Sequence, residues 1–146
     1  SEMPQVSSRP VTVLTYGTFD LLHYGHIRLL SRAKALGDRL VVGLVSDELC
    51  QIKGKDVRLP QEERFALLQE LSAVDQIFMQ LTLDLDQKRK DIIEYNAKYL
   101  VVGDDWRDHP RFTCLENFNG LQVVYFPRTE IISSSIIREA LKRVNE

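Results

Sequence analysis

Cysteine is nearly missing from this chain: Cys50 and Cys114 stand far apart, and neither has metal-ligand partners at zinc spacing. That argues against a disulfide framework or a zinc-built fold and points to reduced thiols in a cytoplasmic protein. Long apolar runs are missing too. None approaches the roughly 20 residues that cross a bilayer, and no signal peptide is visible, so no membrane association is expected. Nor does charge of one sign dominate. The 19 Lys and Arg against 21 Asp and Glu leave a net charge of −2, which gives no global reason to expect nucleic acid. Repeats, low-complexity tracts and linkers are absent, so 146 residues read as one domain. Ser1-Glu2-Met3 reads as a tag remnant with an initiator methionine. Residues 1–10 are therefore set aside as an N-terminal tail, and a single domain is expected over 11–146.

What is present is an alternation of strand and helix signals. Val11–Tyr16 is β-branched and reads as a first strand, followed by a helix from Tyr24 to Leu36 that Gly37 ends. Leu40–Val45 is almost wholly apolar, as expected of a strand buried on both faces. Pro60 with Gln61, Glu62 and Glu63 opens a helix that turns Phe65, Leu67, Leu68 and Leu71 to the core. Gln76–Met79, Tyr99–Val102 and Leu121–Phe126 read as three further strands. Asp86–Asn96 reads as a mostly solvated helix, and a last helix runs from Ser134 towards Val144. The expected fold is α/β, a Rossmann-like doubly wound five-stranded parallel sheet. Ligands of such sheets bind beyond the carboxyl ends of the strands. The Gly17 turn, the Asp47–Val57 and Asp104–Arg111 loops and the Arg128–Ser135 turn all follow strands, so they share that edge.

The turn Tyr16-Gly17-Thr18-Phe19-Asp20-Leu21-Leu22-His23-Tyr24-Gly25-His26 holds two of the chain's three histidines. Its glycines let backbone approach a ligand, and a helix start offers free N–H groups to phosphate. Two imidazoles can then converge on one anionic group, and reaction at an α-phosphate builds negative charge that such donors stabilise. Asp20 is a turn residue or a site residue. Lys53-Gly54-Lys55 is a basic pair that elsewhere would be solvated surface but lies here on the ligand edge. Lys88, within Lys88-Arg89-Lys90, reads on its own as part of a solvated helix face. Gly103-Asp104-Asp105-Trp106 is a turn whose acids can contact a nucleotide or a divalent ion, with Trp106 able to wall an acceptor pocket. Arg128 beside a helix N-terminus opened by Ser133, Ser134 and Ser135 makes a second anion cradle.

His23-x-Gly25-His26 after a Gly-Thr-Phe-Asp turn resembles the nucleotidyltransferase superfamily that includes the cytidylyltransferases. Gly103–Trp106 and Pro127–Ser135 resemble the two later motifs of its glycerol-3-phosphate branch, and the match runs from about Val11 to Leu141. The resemblance implies transfer of a cytidylyl group from CTP to sn-glycerol 3-phosphate, with Mg²⁺ on the triphosphate and a product that feeds teichoic-acid or capsule polymers. It implies catalytic roles for His23, His26, Lys53 and Arg128. Nucleotide contacts fall to Gly17, Thr18, Phe19, His23, Gly25, His26, Lys55, Asp104, Arg128, Thr129, Ile132, Ser133, Ser134 and Ser135. Acceptor contacts fall to Asp20, Lys53, Arg64, Lys88 and Trp106, with no metal held by protein side chains alone. A homodimer is also implied. The chain departs from the family at Ile131, commonly glycine, at Ser134 and Ser135, commonly threonines, and at Ser72, often arginine. Two alternatives stay open: another phosphorylated acceptor (phosphoethanolamine, phosphocholine or a sugar phosphate) with CTP or ATP, and a nucleotide-binding regulatory module without turnover.

Overall fold

Side chains that alternate in direction along strands buried on both faces set the architecture. The computed structural model describes residues 9–127. Within them β1 (Thr12–Gly17), β2 (Arg39–Val45), β3 (Gln76–Gln80), β4 (Ala97–Gly103) and β5 (Gln122–Phe126) pair in parallel in the order β3-β2-β1-β4-β5. Val13, Leu40, Val42 and Val101 point to one face, where Leu30 and Ala33 of α1 (Tyr24–Lys34) and Leu68 of α3 (Gln61–Gln69) meet them. Leu14, Val41, Leu100 and Val123 point to the other, against Ile92 of α4 (Leu85–Glu94) and Phe112 of α5 (Pro110–Thr113). Helices thus cover both faces, and apolar burial on each drives closure. Chain order reverses between β1 and β4, the switch point where loops diverge and leave a crevice.

The expected doubly wound five-stranded sheet is the observed one, with each strand end within two residues of its sequence reading. Three expectations need correction, and one element was not read. Asp47–Val57 is not all loop: α2 (Asp47–Ile52) opens it, capped by Ser46 Oγ, which accepts from the Leu49 N–H at 3.1 Å. Ser46 followed by Asp47 and Glu48 carries that signal, but six residues show too little periodicity to register. Leu67 is exposed, since Leu68 takes the inward position of α3. α4 is not simply solvated, because Lys88, Asp91 and Ile92 form a buried stripe along it. The short α5 was also unread. The closing helix expected from Ser134 lies outside the described residues.

Gly43 in β2 leaves the space for an aromatic contact across three strands. A Cβ there would stand 2.5 Å from Tyr16 Cδ1 and 2.9 Å from Phe78 Cζ, two rings that meet edge to face at 5.9 Å. Both are anchored on neighbouring strands, so neither yields easily. Gly43→Ala is expected to destabilise the fold by about 1–3 kcal/mol through overpacking. Urea denaturation would show this as a lower midpoint with an unchanged slope.

Candidate active site

The loop after β1 is held in a conformation that its own residues disfavour. Phe19 and Leu21 have φ of 50° and 54°, left-handed values that cost non-glycine residues energy unless surroundings enforce them. The enforcement is visible. The Asp20 carboxylate accepts the N–H groups of Arg58 and Leu59 at 2.8 and 2.9 Å. Burial would raise that carboxyl, but the two N–H groups and the Arg64 and Arg58 charges outweigh it and hold it below the ordinary value. The Phe19 ring is buried and lies where a Cβ on Gly17 would be, 2.5 Å from its Cε2. Gly17 is needed for that close packing.

Arg64 completes the bracing. It is fully buried, and its guanidinium donates to the carbonyls of Leu59 (2.9 Å), Thr18 (3.0 Å) and Val45 (2.7 Å) and to Asp47 Oδ1 (2.7 Å). Arg64, expected from the resemblance to contact the acceptor, has Nε, Nη1 and Nη2 all donating inside the protein. Asp20, read as a turn or a site residue, gives both carboxylate oxygens to the loop backbone. Both side chains brace the loop.

The two histidines are fixed by the helix they begin. His23 is the N-cap of α1, and its Nδ1 accepts the Gly25 N–H at 3.1 Å. His26 reaches back, its Nδ1 accepting the His23 N–H at 3.3 Å. This is a capping box in which imidazoles stand in for the usual hydroxyl and carboxyl groups. Because each Nδ1 accepts, each neutral ring carries its proton on Nε2. The rings stack at 3.9 Å, and Phe19 meets His26 edge-on at 5.6 Å. Burial, then the charges of His23 and Lys55, push His26 down to about 4. It is a neutral donor at neutral pH. Lys55 stands on this side, its Nζ 3.4 Å from Thr18 Oγ1.

A second cationic group lies across the crevice. Lys88 is only 2 % exposed and forms no ion pair among the described residues. Its ammonium lies 4.9 Å from the Phe112 ring centre and 5.8 Å from that of Tyr16. Burial, then the nearby charges of Arg111 and Lys53, push it down to about 8 despite the opposing influence of Cys114 and Asp91. Lys53 is lowered too, by burial first, then by Lys55 and Arg111. Arg111 was missed by sequence reading, since one arginine after a proline carries no periodic or motif signal. Trp106 lines a cleft of about 100 Å³ with Thr15, Tyr16, Gly103 and Phe112 between the ends of β1 and β4. Asp104 pairs with Arg107 at 2.7 Å. Arg128, Thr129, Ile131, Ile132, Ser133, Ser134 and Ser135 lie outside the described residues.

Residues 14–140 match the family model described as cytidylyltransferase-like. The chain is 44% identical to the glycerol-3-phosphate cytidylyltransferase of Bacillus subtilis (strain 168), over 88% of this chain and 95% of that one. It is 40% identical to the enzyme of the same name from Staphylococcus aureus (strain NCTC 8325 / PS 47), over 88% and 93%. Among solved structures, the lipopolysaccharide core biosynthesis protein from Thermoplasma volcanium GSS1 superposes with a TM-score of 0.68 at 29% identity, over 84% of this chain and 99% of that one.

A buried ammonium that forms no ion pair among the described residues opposes folding. The folded value near 8 lies below the ordinary 10.5, so the penalty is full below pH 8 and fades between pH 8 and 10.5, where the folded chain sheds a proton that the unfolded chain keeps. Lys88→Met should therefore raise the Tm of the ligand-free protein by roughly 3–8 °C at pH 7, for a gain of about 1–3 kcal/mol. The gain should shrink by pH 10. Calorimetric melting at both pH values checks it, and a lower Tm at pH 7 would refute the unpaired cation.

Proposed function

The chain belongs to the cytidylyltransferase-like family, and on that premise we propose that it joins CTP and sn-glycerol 3-phosphate into CDP-glycerol and pyrophosphate. The carrying observation is two cationic centres on one crevice: the histidine turn with Lys55, and Lys88 with Lys53. The relatives named above from Bacillus subtilis and Staphylococcus aureus support the same reaction.

In this reading an acceptor phosphate oxygen attacks the α-phosphorus of CTP in line, a new P–O bond forms, and pyrophosphate leaves with the electrons of the broken P–O bond. No protein nucleophile is required. The Nε2–H groups of His23 and His26 donate to oxygens whose charge grows in the transition state, and the cap holds those donors in place beforehand. Lys55 and Arg128 hold the triphosphate, while Lys53 and Lys88 hold the acceptor phosphate. Two anions repel, so cations between them permit close approach. Among the described residues no three His, Cys, Asp or Glu side chains gather to hold a metal, so Mg²⁺ would enter with the substrate on phosphate oxygens, supplying charge neutralisation. Thr18, Phe19 and Asp104 remain proposed nucleotide contacts, and Trp106 a wall of the acceptor pocket.

The rings argue against a choline-type acceptor. A quaternary ammonium needs free aromatic faces. Those of Tyr16 and Phe112 have Lys88 over them, and that of Trp106 has Arg111 at 5.1 Å.

Pyrophosphate release should appear with CTP and sn-glycerol 3-phosphate and be far weaker with ATP or with phosphocholine, phosphoethanolamine or a sugar phosphate. A matrix of these nucleotides and acceptors decides it, and no turnover in any cell would leave a regulatory module. His23→Ala and His26→Ala should each lower kcat on the order of 10²–10³-fold, the scale of one lost transition-state donor. CTP affinity should fall less.

We further propose a cytoplasmic homodimer. No helix among the described residues is long and apolar enough to cross a membrane, and α1 and α3 expose Tyr24, Ile27 and Leu67, apolar area that a second copy would cover. Light scattering at micromolar concentration should return twice the monomer mass; the monomer mass alone would refute it.

A further inference from the structure

We propose that Arg111 is a third cation on the acceptor phosphate and the residue that makes the site selective for a dianionic phosphate monoester. This rests on the reading of Lys53 and Lys88 as acceptor anchors and extends it to a side chain from a third element. Lys53 follows α2, Lys88 lies on α4, and Arg111 lies on α5; Lys88 and Arg111 are joined through the Phe112 and Trp106 rings, and the charges of the three act on one another.

Such convergence is unfavourable without an anion, and among the described residues no carboxylate forms an ion pair with Lys53, Lys88 or Arg111. Arg111 forms no ion pair among the described residues, and its guanidinium is held by stacking on Trp106 at 5.1 Å. Trp106 is itself braced edge-on by His109 at 5.1 Å and Phe112 at 5.6 Å. The acids near enough to be considered are engaged or exposed. Asp91 accepts from Tyr16 Oη at 2.8 Å and from Gln87 Nε2 at 3.0 Å. Cys114 is an exposed thiol whose Sγ donates to the Arg111 carbonyl at 3.6 Å. Lys88, at 2 % exposure, is thus a buried cation facing a second cation across aromatic rings, which calls for an anionic ligand between them.

The chemistry of the set narrows that ligand. A guanidinium offers a planar fork matched to two non-bridging phosphate oxygens, and the two ammonium groups act as point charges. Contact with the Trp106 ring, 5.1 Å from Arg111 Cζ, restrains the guanidinium before the ligand arrives. Three positive charges match a monoester dianion with one to spare and overmatch a diester or carboxylate monoanion.

Calorimetric titration with sn-glycerol 3-phosphate, and separately with inorganic phosphate, tests this on the full chain. Arg111→Gln should weaken both by about 10–100-fold, and Arg111→Lys, which keeps the charge but loses the fork and stack, by roughly 3–10-fold. Melting curves establish that each variant is folded. In turnover, KM for the acceptor should rise by a similar factor in Arg111→Gln, while KM for CTP stays within about twofold. The assignment is overturned if a folded Arg111→Gln binds both ligands as wild type does, or if both KM values rise equally. It is also overturned if wild type binds neither ligand at millimolar concentration. If wild type turns over no acceptor yet loses phosphate affinity in Arg111→Gln, the proposed reaction fails and Arg111 stands as an anion-binding residue.

Discussion

The buried guanidinium of Arg64 is the interaction on which the ligand edge depends. Three carbonyls and a carboxylate converge on it, and they come from the loop after β1, the end of β2, the segment before α3 and the start of α2. An open sheet fixes its strands by ladder hydrogen bonds, but the loops beyond them have no such ladder. Here one side chain supplies the missing cross-links. Charged burial is tolerable because several donors meet oxygen acceptors, and removing the side chain would orphan those acceptors in the interior. The same atoms explain why Phe19 and Leu21 can hold left-handed backbone. Arg64 fixes the carbonyl before Phe19, and Asp20 pins the residue between them to Arg58 and Leu59.

From that brace the chemistry of the histidine turn follows by local steps. The chain leaves β1, turns through the strained residues and enters α1 with His23 at the cap. A helix start leaves N–H groups without partners, and both imidazoles accept from such groups through Nδ1. One requirement, satisfying a helix end, therefore also sets the tautomer of both rings. Lys55 lowers His26 further by its charge, so the donor nearest the interior stays neutral and does not add repulsion between cations.

The strands were legible because two periods, alternation and continuous apolarity, are written in residues such as Val13, Val41 and Leu100. The histidine turn was legible because its motif is local. What failed in sequence reading failed for physical reasons. Lys88 lies in a charged run, and its burial depends on Tyr16 and Phe112, 72 and 24 positions away in the chain. Arg64 follows two glutamates at a helix start, which marks a solvated first turn, yet tertiary acceptors draw it inward. Arg111 has meaning only beside Trp106 and Lys88. In each case the residue type was visible, and the partner was supplied by the fold.

Asp91 shows how the arrangement keeps a cation available. It lies one turn along α4 from Lys88, the spacing at which a lysine and an aspartate ordinarily pair. Both its oxygens are occupied, one by the Tyr16 hydroxyl and one by the Gln87 amide, and no Lys88–Asp91 ion pair forms. Burial and the Asp91 hydrogen bond raise Tyr16 well above its ordinary range, so it remains a proton donor to that carboxylate at any physiological pH. Lys88 is thereby left with aromatic faces, which attract its charge without neutralising it. In the proposed reaction the acceptor phosphate supplies the counter-charge that Asp91 withholds. The free energy released on pairing is then available only when the acceptor is bound, which ties the cost of burying Lys88 to recognition of that ligand.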